Sequence, residues 1–179
     1  MTVHQWPIII GVTGHRKEKW PDPVAARRRV REVVAAWHRA HPGALWLSGG
    51  AAGVDLWALE VLTTLDTFRR VFLPLPVDNH LRALPSQERD HANDLLWQAN
   101  HQERFPNDLV ATVIPCNDFS ISPIKAAYAE RNNQIARRSN VLLAFTMQPG
   151  GGQTGSGQTI RMAQRAGTMI VDAMREVGL

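Results

Sequence analysis

Residues 11–16, Gly-Val-Thr-Gly-His-Arg, combine backbone freedom with side chains that bind anions. Glycine lets the chain turn sharply and brings the backbone close to a ligand. A guanidinium forks onto a phosphate or carboxylate through parallel N–H bonds. These residue types predict an anion-binding turn, and the alternative is a plain turn after a strand. The candidate ligand-binding residues are Gly11, Thr13, Gly14 and Arg16.

A second glycine segment, residues 48–55, has the sequence Ser-Gly-Gly-Ala-Ala-Gly-Val-Asp and opens a predicted helix. Bare N–H groups at a helix N-terminus form an anion site through their geometry and the helix dipole. Asp55 is predicted either to cap the turn or to hold a ribose hydroxyl. Small residues also permit tight helix–strand packing, which is compatible with ligand contact. The candidate residues are Ser48, Gly49, Gly50, Ala51, Gly53 and Asp55.

A charged pair followed by two amides, Glu-Arg-Asn-Asn at residues 130–133, lies within a predicted helix. Such residues are unusual on a helix side that packs in a core. We predict that Arg131 binds phosphate and that Asn132 contacts ribose or a neighbouring loop. The alternative is a surface ion pair, which contributes only about 0–1 kcal/mol to stability.

The longest glycine segment, residues 150–157, holds five glycines in eight residues. Ordering so many glycines costs backbone entropy, and N–H contacts to a bound anion would offset that cost. The alternative is a mobile lid without a ligand. The candidate residues in and just after this segment are Gly151, Gly152, Thr154, Gly155, Ser156, Gly157 and Thr159.

Several other site motifs are missing from the sequence. No Gly-Lys-Ser/Thr follows the glycine loop and no G-x-G-x-x-G follows the first strand, which argues against a P-loop and against bound NAD. The seven histidines form no H-E-x-x-H motif, and one cysteine cannot build a zinc site. No G-x-S-x-G motif indicates a serine hydrolase. The sequence therefore predicts no cofactor and no metal.

Apolar runs without alternation are interleaved with helical patterns, which indicates a parallel sheet buried on both faces. We expect strands at 7–13, 44–48, 70–75, 110–114, 141–145 and 168–171. We expect helices at about 23–41, 54–67, 87–102, 124–138 and 158–166. The predicted fold class is α/β, a doubly wound, mostly parallel, Rossmann-like sheet with helices on both faces. The carboxyl ends of its strands would bring the four segments to one crevice.

The length of 179 residues suits one domain, predicted over 1–179 with a polar excursion at about 76–108. The net charge is +4, although positions 78–109 hold six acidic and three basic residues. No apolar run approaches the roughly 20 residues of a membrane span, and no signal peptide is recognisable. A single cysteine, Cys116, cannot form an internal disulfide. These features predict a cytoplasmic protein that does not bind a membrane.

Taken in order, the four segments resemble the SLOG superfamily, the Rossmann-like domain shared by DprA/Smf proteins and LOG phosphoribohydrolases. Residues 48–55 are similar to the DprA pattern S-G-x-A-x-G-[IV]-D in register throughout. Residues 130–136 resemble the R-N-x-x-I segment of DprA and YpsA-like proteins and the E-R-K segment of LOG enzymes. Residues 155–163 resemble the last glycine loop of these families. Stand-alone YpsA-like proteins are the most similar in architecture.

The resemblance implies a protein that binds a nucleotide or an ADP-ribose-like derivative. One alternative is a LOG-like nucleoside 5′-monophosphate phosphoribohydrolase, with Arg131 and Glu130 as catalytic residues. The glutamate of the LOG motif is absent, because residues 158–160 are Gln-Thr-Ile, so Glu60 or Glu130 would have to replace it. Another alternative is DprA-like binding of single-stranded DNA. A homodimer is a further option, since superfamily members often pair.

Overall fold

The computed structural model describes residues 8–100, 111–113 and 123–175. Its strands are β1 (Ile9–Gly14), β2 (Leu45–Ser48), β3 (Phe68–Leu73), β4 (Ala111–Val113), β5 (Val141–Phe145) and β6 (Met169–Asp172). Within the described residues these six strands form one parallel sheet in the order β4-β3-β2-β1-β5-β6. Strands β2, β3 and β4 therefore extend the sheet on one side of β1, and β5 and β6 extend it on the other side. Doubly wound sheets bind ligands at such a switch point.

Six helices of the described residues connect the strands, and capping residues in the sequence mark some of their ends. They are α1 (Pro23–Ala40), α2 (Val54–Thr64), α3 (Val77–Arg82), α4 (Ser86–Asn100), α5 (Pro123–Arg138) and α6 (Gly155–Ala166). Asp22 caps the start of α1, and its carboxylate accepts hydrogen bonds from the amides of Val24 and Ala25. Gly167 caps the end of α6 and takes the left-handed conformation with a φ of 75°.

The helices cover the two faces of the sheet unequally. Successive strand residues point to opposite faces, so Trp46 packs with α1 and α2 while Leu47 packs with α5 and α6. In β3, Val71 packs with α2 and α4, and Phe72 points to the α5 and α6 side. Helices α1, α2 and α4 therefore lie on one face, and α5 and α6 lie on the other.

The predicted fold class is confirmed, because the sheet is parallel and carries helices on both faces. The predicted start of the last helix at residue 158 is wrong, since α6 begins at Gly155 after a cap at Thr154. The polar excursion contains α3, which the sequence did not indicate, and α4, which packs on α2 through Leu95 and Leu96. Cys116 and the predicted ends of α4 and β4 lie outside the described residues. None of the helices in the described ranges has the length and apolar character that a bilayer crossing needs.

Gly53, which precedes α2, lies close to the backbone of the segment after β1. Its φ is 91°, and an added Cβ would lie 2.6 Å from the amide nitrogen of Lys17 and 2.7 Å from the carbonyl oxygen of His15. We expect Gly53→Ala to lower the free energy of unfolding by at least about 1–3 kcal/mol, the cost of such backbone strain. Urea unfolding followed by circular dichroism measures the change.

The control for this prediction is Gly155→Ala. Gly155 is the first residue of α6, and an added Cβ would meet nothing within 4 Å. Alanine at a compatible helical position should leave stability equal or higher by up to about 1 kcal/mol. Equal losses in the two variants would contradict the strain that we assign to Gly53.

Candidate functional site

A crevice of about 380 Å³ opens at the carboxyl end of β1, beside the first turn of α6. Its walls come from the segment after β1, the start of α2, one side of α5 and the start of α6. This is the switch point between β1 and β5, where a ligand site is expected. The predicted site residues that line it are Thr13, Gly14, Arg16, Ala51, Asp55, Arg131, Asn132, Thr154, Gly155, Ser156 and Thr159.

The other predicted residues do not line the crevice. They are Gly11, Ser48, Gly49, Gly50, Gly53, Gly151, Gly152 and Gly157. A Cβ on Gly11 would overlap the hydroxyl of Ser139, and a Cβ on Gly157 would overlap the carbonyl of Gly152. Gly11 and Gly157 therefore pack closely against neighbouring atoms, and contact of these glycines with a ligand stays a prediction.

Arg131 is the buried cation of the crevice, with only 6% of the residue exposed. Its Nη1 donates to the carbonyl oxygen of Gly49 at 2.7 Å and lies 3.5 Å from Oδ2 of Asp55. The guanidinium carbon is 5.5 Å from the ring centroid of Tyr128. Burial lowers the pKa of Arg131, and the Asp55 carboxylate works against that shift. These contacts hold the side chain in place, and Nη1 already donates to an acceptor within the protein.

Asp55 caps the loop that leads into α2. Its Oδ2 accepts a hydrogen bond from the amide of Ala51 at 3.3 Å and faces Arg131. Burial raises the pKa of Asp55, whereas Arg131 and the amides of Ala51 and Gly49 favour the charged form. The capping role predicted from the sequence is present, and the contact with ribose stays a prediction.

His80 of α3 holds the same loop from its other side. The imidazole is 1% exposed, and its Nε2 lies 2.9 Å from the carbonyl oxygen of Gly50. A carbonyl oxygen only accepts, so Nε2 carries the proton. Burial, the largest cause, lowers the pKa of His80. Sequence reasoning missed this residue, because no motif surrounds it and only the fold brings α3 to Gly50.

The Thr154 side chain makes hydrogen bonds to residues on both sides of it in the glycine loop at the start of α6. The Thr154 hydroxyl donates to the carbonyl of Gly151 at 2.6 Å and accepts from the amide of Gly157 at 3.1 Å. Asn132 donates to the carbonyl of Gly155 at 3.5 Å, which is the loop contact that we predict as one of its two roles. The first amides of α6 have no acceptor within the helix, and the helix dipole adds positive potential at this end.

Exposed cations complete the rim of the crevice. Arg16 and Lys19 both line it and are solvent-exposed. Among the lining residues, Asp55 supplies the carboxylate, and its charge is set against Arg131. No group of three or more His, Cys, Asp or Glu side chains within the described ranges could hold a metal ion. The crevice is therefore suited electrostatically to an anion.

Several lining residues were not among the predicted ones, including Lys19, Tyr128, Gln153 and Gln158. Lys19 lies on a short 3-10 helix at Lys17–Lys19, which no periodic pattern in the sequence indicates. Tyr128 lies three residues before Arg131 on α5, and residues at this spacing share one side of a helix. That spacing could have identified Tyr128.

No protein-family model and no curated protein matches the chain. Among solved structures, DprA from Streptococcus pneumoniae has a TM-score of 0.58 and 16% identity, covering 91% of this chain and 49% of that one. DprA from Helicobacter pylori, described with its single-stranded DNA binding mode, has a TM-score of 0.55 and 19% identity, covering 92% and 64%. The molybdenum cofactor carrier protein of Chlamydomonas reinhardtii has a TM-score of 0.52 and 19% identity, covering 92% and 75%.

These likenesses confirm the resemblance to DprA at the level of the fold. This chain spans only 49% and 64% of the two DprA chains that it matches. The similarity to YpsA-like proteins stays a prediction.

The lowered pKa of His80 predicts an acid-dependent loss of stability. The unfolded chain binds a proton near the ordinary histidine pKa of 6.5, whereas the folded protein binds it only at lower pH. The unfolded state then holds more protons, so the free energy of unfolding falls as pH drops below about 6.5. We expect His80→Gln to show a smaller fall than wild type between about pH 7.5 and 5.5.

Urea unfolding of the two proteins at each pH measures this difference. His15, whose pKa burial also lowers, is present in both proteins and cancels in the comparison. Parallel pH profiles would show that His80 does not supply the dependence.

Proposed function

We propose that the crevice binds the phosphate of a nucleotide or of a nucleotide-derived molecule such as ADP-ribose. One observation carries the proposal: the first turn of α6, exposed Arg16 and Lys19, and buried Arg131 surround one crevice. Helix amides and guanidinium groups are common phosphate ligands in proteins. The volume of about 380 Å³ falls in the usual range for small-molecule pockets, roughly 300–1,000 Å³.

The rest of a nucleotide would meet an aromatic ring and side-chain amides. Tyr128, Gln153 and Gln158 line the same crevice. The Arg131 guanidinium lies against Tyr128 and helps to fix the ring. We assign contacts with ribose or base to these three residues rather than to Asp55, because Oδ2 of Asp55 already accepts a hydrogen bond from the Ala51 amide.

The names of the structural neighbours support a ligand of this kind. One DprA is described with its single-stranded DNA binding mode, and another neighbour is a molybdenum cofactor carrier. A fold that serves nucleic acid in one protein and a cofactor in another is consistent with a nucleotide-type ligand here. The fold alone does not fix function, so the proposal depends on the crevice residues.

Hydrolysis of nucleoside monophosphates has less support. The Glu130 carboxylate accepts hydrogen bonds from the side-chain amides of Asn133 and Gln134. It faces a groove between α5 and α6. The Glu60 carboxylate accepts a hydrogen bond from Arg27 on the face of the sheet that α1, α2 and α4 cover. Neither glutamate lines the crevice. A general base must reach the proton that it removes, so we propose binding without glycosidic cleavage.

Removal of Arg16 tests the proposed phosphate site. A charged hydrogen bond contributes about 1.5–3 kcal/mol, so Arg16→Ala should weaken nucleotide binding about tenfold or more. Isothermal titration calorimetry with AMP, ADP, ATP, GTP and ADP-ribose measures the effect. Arg16 is exposed, so the substitution should not disturb folding.

The matched control is Arg39→Ala, which removes an exposed arginine from the last turn of α1. Arg39 does not line the crevice, and its variant should bind as wild type does. Absence of binding to every nucleotide in the wild-type protein, or equal weakening in both variants, would reject the proposal.

Binding of single-stranded DNA is a second candidate, favoured by the likeness to the Helicobacter pylori protein. Contacts from Arg16 and Lys19 to backbone phosphates would release counterions, so affinity should fall steeply as salt rises. Fluorescence anisotropy with a labelled oligonucleotide measures the slope. We expect the double variant Arg16→Ala, Lys19→Ala to have a slope smaller by about two phosphate contacts. An unchanged slope would place any DNA contact outside the crevice.

A further inference from the structure

His15 is a buried histidine that lines the same crevice, directly after β1. Only 6% of the residue is exposed. Within the described residues, neither ring nitrogen of His15 has a hydrogen-bond partner, and neither is sealed from solvent. Polar groups in such enclosed positions normally have a partner. A ligand in the crevice is therefore an available partner for this ring.

The protein holds His15 in one position. Its amide donates to the carbonyl oxygen of Phe145 at 3.2 Å, and its carbonyl oxygen accepts from the amide of Val54 at 3.3 Å. The His15 and Trp20 rings pack with their centroids 5.7 Å apart, and Trp20 is itself buried. These contacts tie His15 to β5, to the start of α2 and to the core. A ligand would thus meet an imidazole that is already in place.

The charged groups around His15 come from three elements. The lining cations are Arg16 and Lys19 from its own segment and Arg131 from α5. Among the described lining residues, Asp55 of α2 supplies the carboxylate, which faces the α5 guanidinium. Tyr128 of α5 is the other titratable side chain, and α6 brings only uncharged residues to the crevice.

These surroundings keep the imidazole neutral while no anion is bound. Burial, the largest cause, and the charge of Lys19 lower the pKa of His15. A neutral imidazole donates from one ring nitrogen only, whereas a protonated one donates from both. An anion close to the ring favours the charged form. The bound phosphate and the proton on His15 would therefore stabilise each other.

We propose that His15 contacts the bound phosphate and takes up a proton when the ligand binds, so that the affinity of the crevice rises as pH falls. The inference rests on the proposed phosphate site. A hydrogen bond from a charged donor to phosphate is about twice as strong as a neutral one. Histidine is the side chain that ordinarily changes charge between about pH 5 and 8, so the crevice would respond to pH in that range.

Calorimetry across pH tests the coupling in the full-length protein. ADP-ribose is the first probe, because its pyrophosphate does not titrate in this range. We expect wild type to bind it about fivefold or more tightly at pH 5.5 than at pH 7.5, the difference between a neutral and a charged hydrogen bond. Titration at pH 6.5 in buffers of different ionisation enthalpy should show net proton uptake on binding.

The variant His15→Gln keeps a hydrogen-bond donor but does not titrate. It should bind about as wild type does at pH 7.5 and show a smaller gain at pH 5.5, together with less proton uptake. Burial raises the pKa of Asp55, so that carboxyl also titrates toward acid pH. Asp55 and His80 are present in both proteins, and their contributions cancel in the comparison. AMP, ADP, ATP and GTP are the further probes, and their own titration cancels in the same way.

The matched control is His91→Gln, which removes an exposed histidine that does not line the crevice. This variant should keep the full pH dependence of wild type. Circular dichroism at each pH checks the fold, and His15→Asn replaces His15→Gln if the latter does not fold.

Three outcomes would count against the coupling. Wild-type binding with a flat pH profile and no proton uptake would overturn this inference and leave the phosphate site standing. Equal weakening of the His15→Gln variant at every pH would assign His15 a structural role instead. Absence of binding to all five probes at every pH would reject the phosphate site, and this inference with it.

Discussion

The crevice depends on the burial of one cation, Arg131. A guanidinium leaves water at a high cost unless a carboxylate and hydrogen-bond acceptors receive it. The loop between β2 and α2 supplies these partners as the Gly49 carbonyl at 2.7 Å and the Asp55 carboxylate at 3.5 Å. It also supplies room, because a Cβ on Gly49 would overlap the guanidinium. The pair ties α5 to α2 across the sheet edge, and breaking a buried pair of this kind costs about 3–5 kcal/mol.

Most of the fold could be predicted from the sequence because its signals are local. Strands β1 and β5 are apolar without alternation, as strands covered on both faces are. The start of α6 could not be predicted, since Gly155 and Gly157 have low helix propensity and only the Thr154 cap and the tight fit against Gly152 place a helix there. The crevice was located by strand ends, whereas Lys19 and His80 reach their positions through tertiary contacts with no local pattern.

The basic net charge divides into parts with different physical roles. The cations of the crevice, Arg16, Lys19 and Arg131, come from three different elements and would meet a ligand together. The arginines of α1 belong to one helix, and all of them except Arg29 are exposed. The sequence shows the acidic stretch as a polar excursion with an excess of acidic residues, and the fold places its helix α4 on the same face as α1. The fold therefore brings an arginine-rich helix and an acid-rich helix to one face of the sheet.

The segment at residues 48–55 shows why a motif can persist in a fold without contacting a ligand at most of its positions. The Ser48 hydroxyl accepts the Gly50 amide, Asp55 accepts the Ala51 amide, and the Gly50 carbonyl faces His80. Gly50 and Gly53 have φ values of 63° and 91°, which other residues rarely adopt. The hydrogen bonds and backbone angles of the loop itself therefore restrict which residues these positions can hold. Likeness in this segment therefore indicates a shared loop structure, and the ligand must be argued from the side chains that line the crevice, above all Arg16 and Lys19.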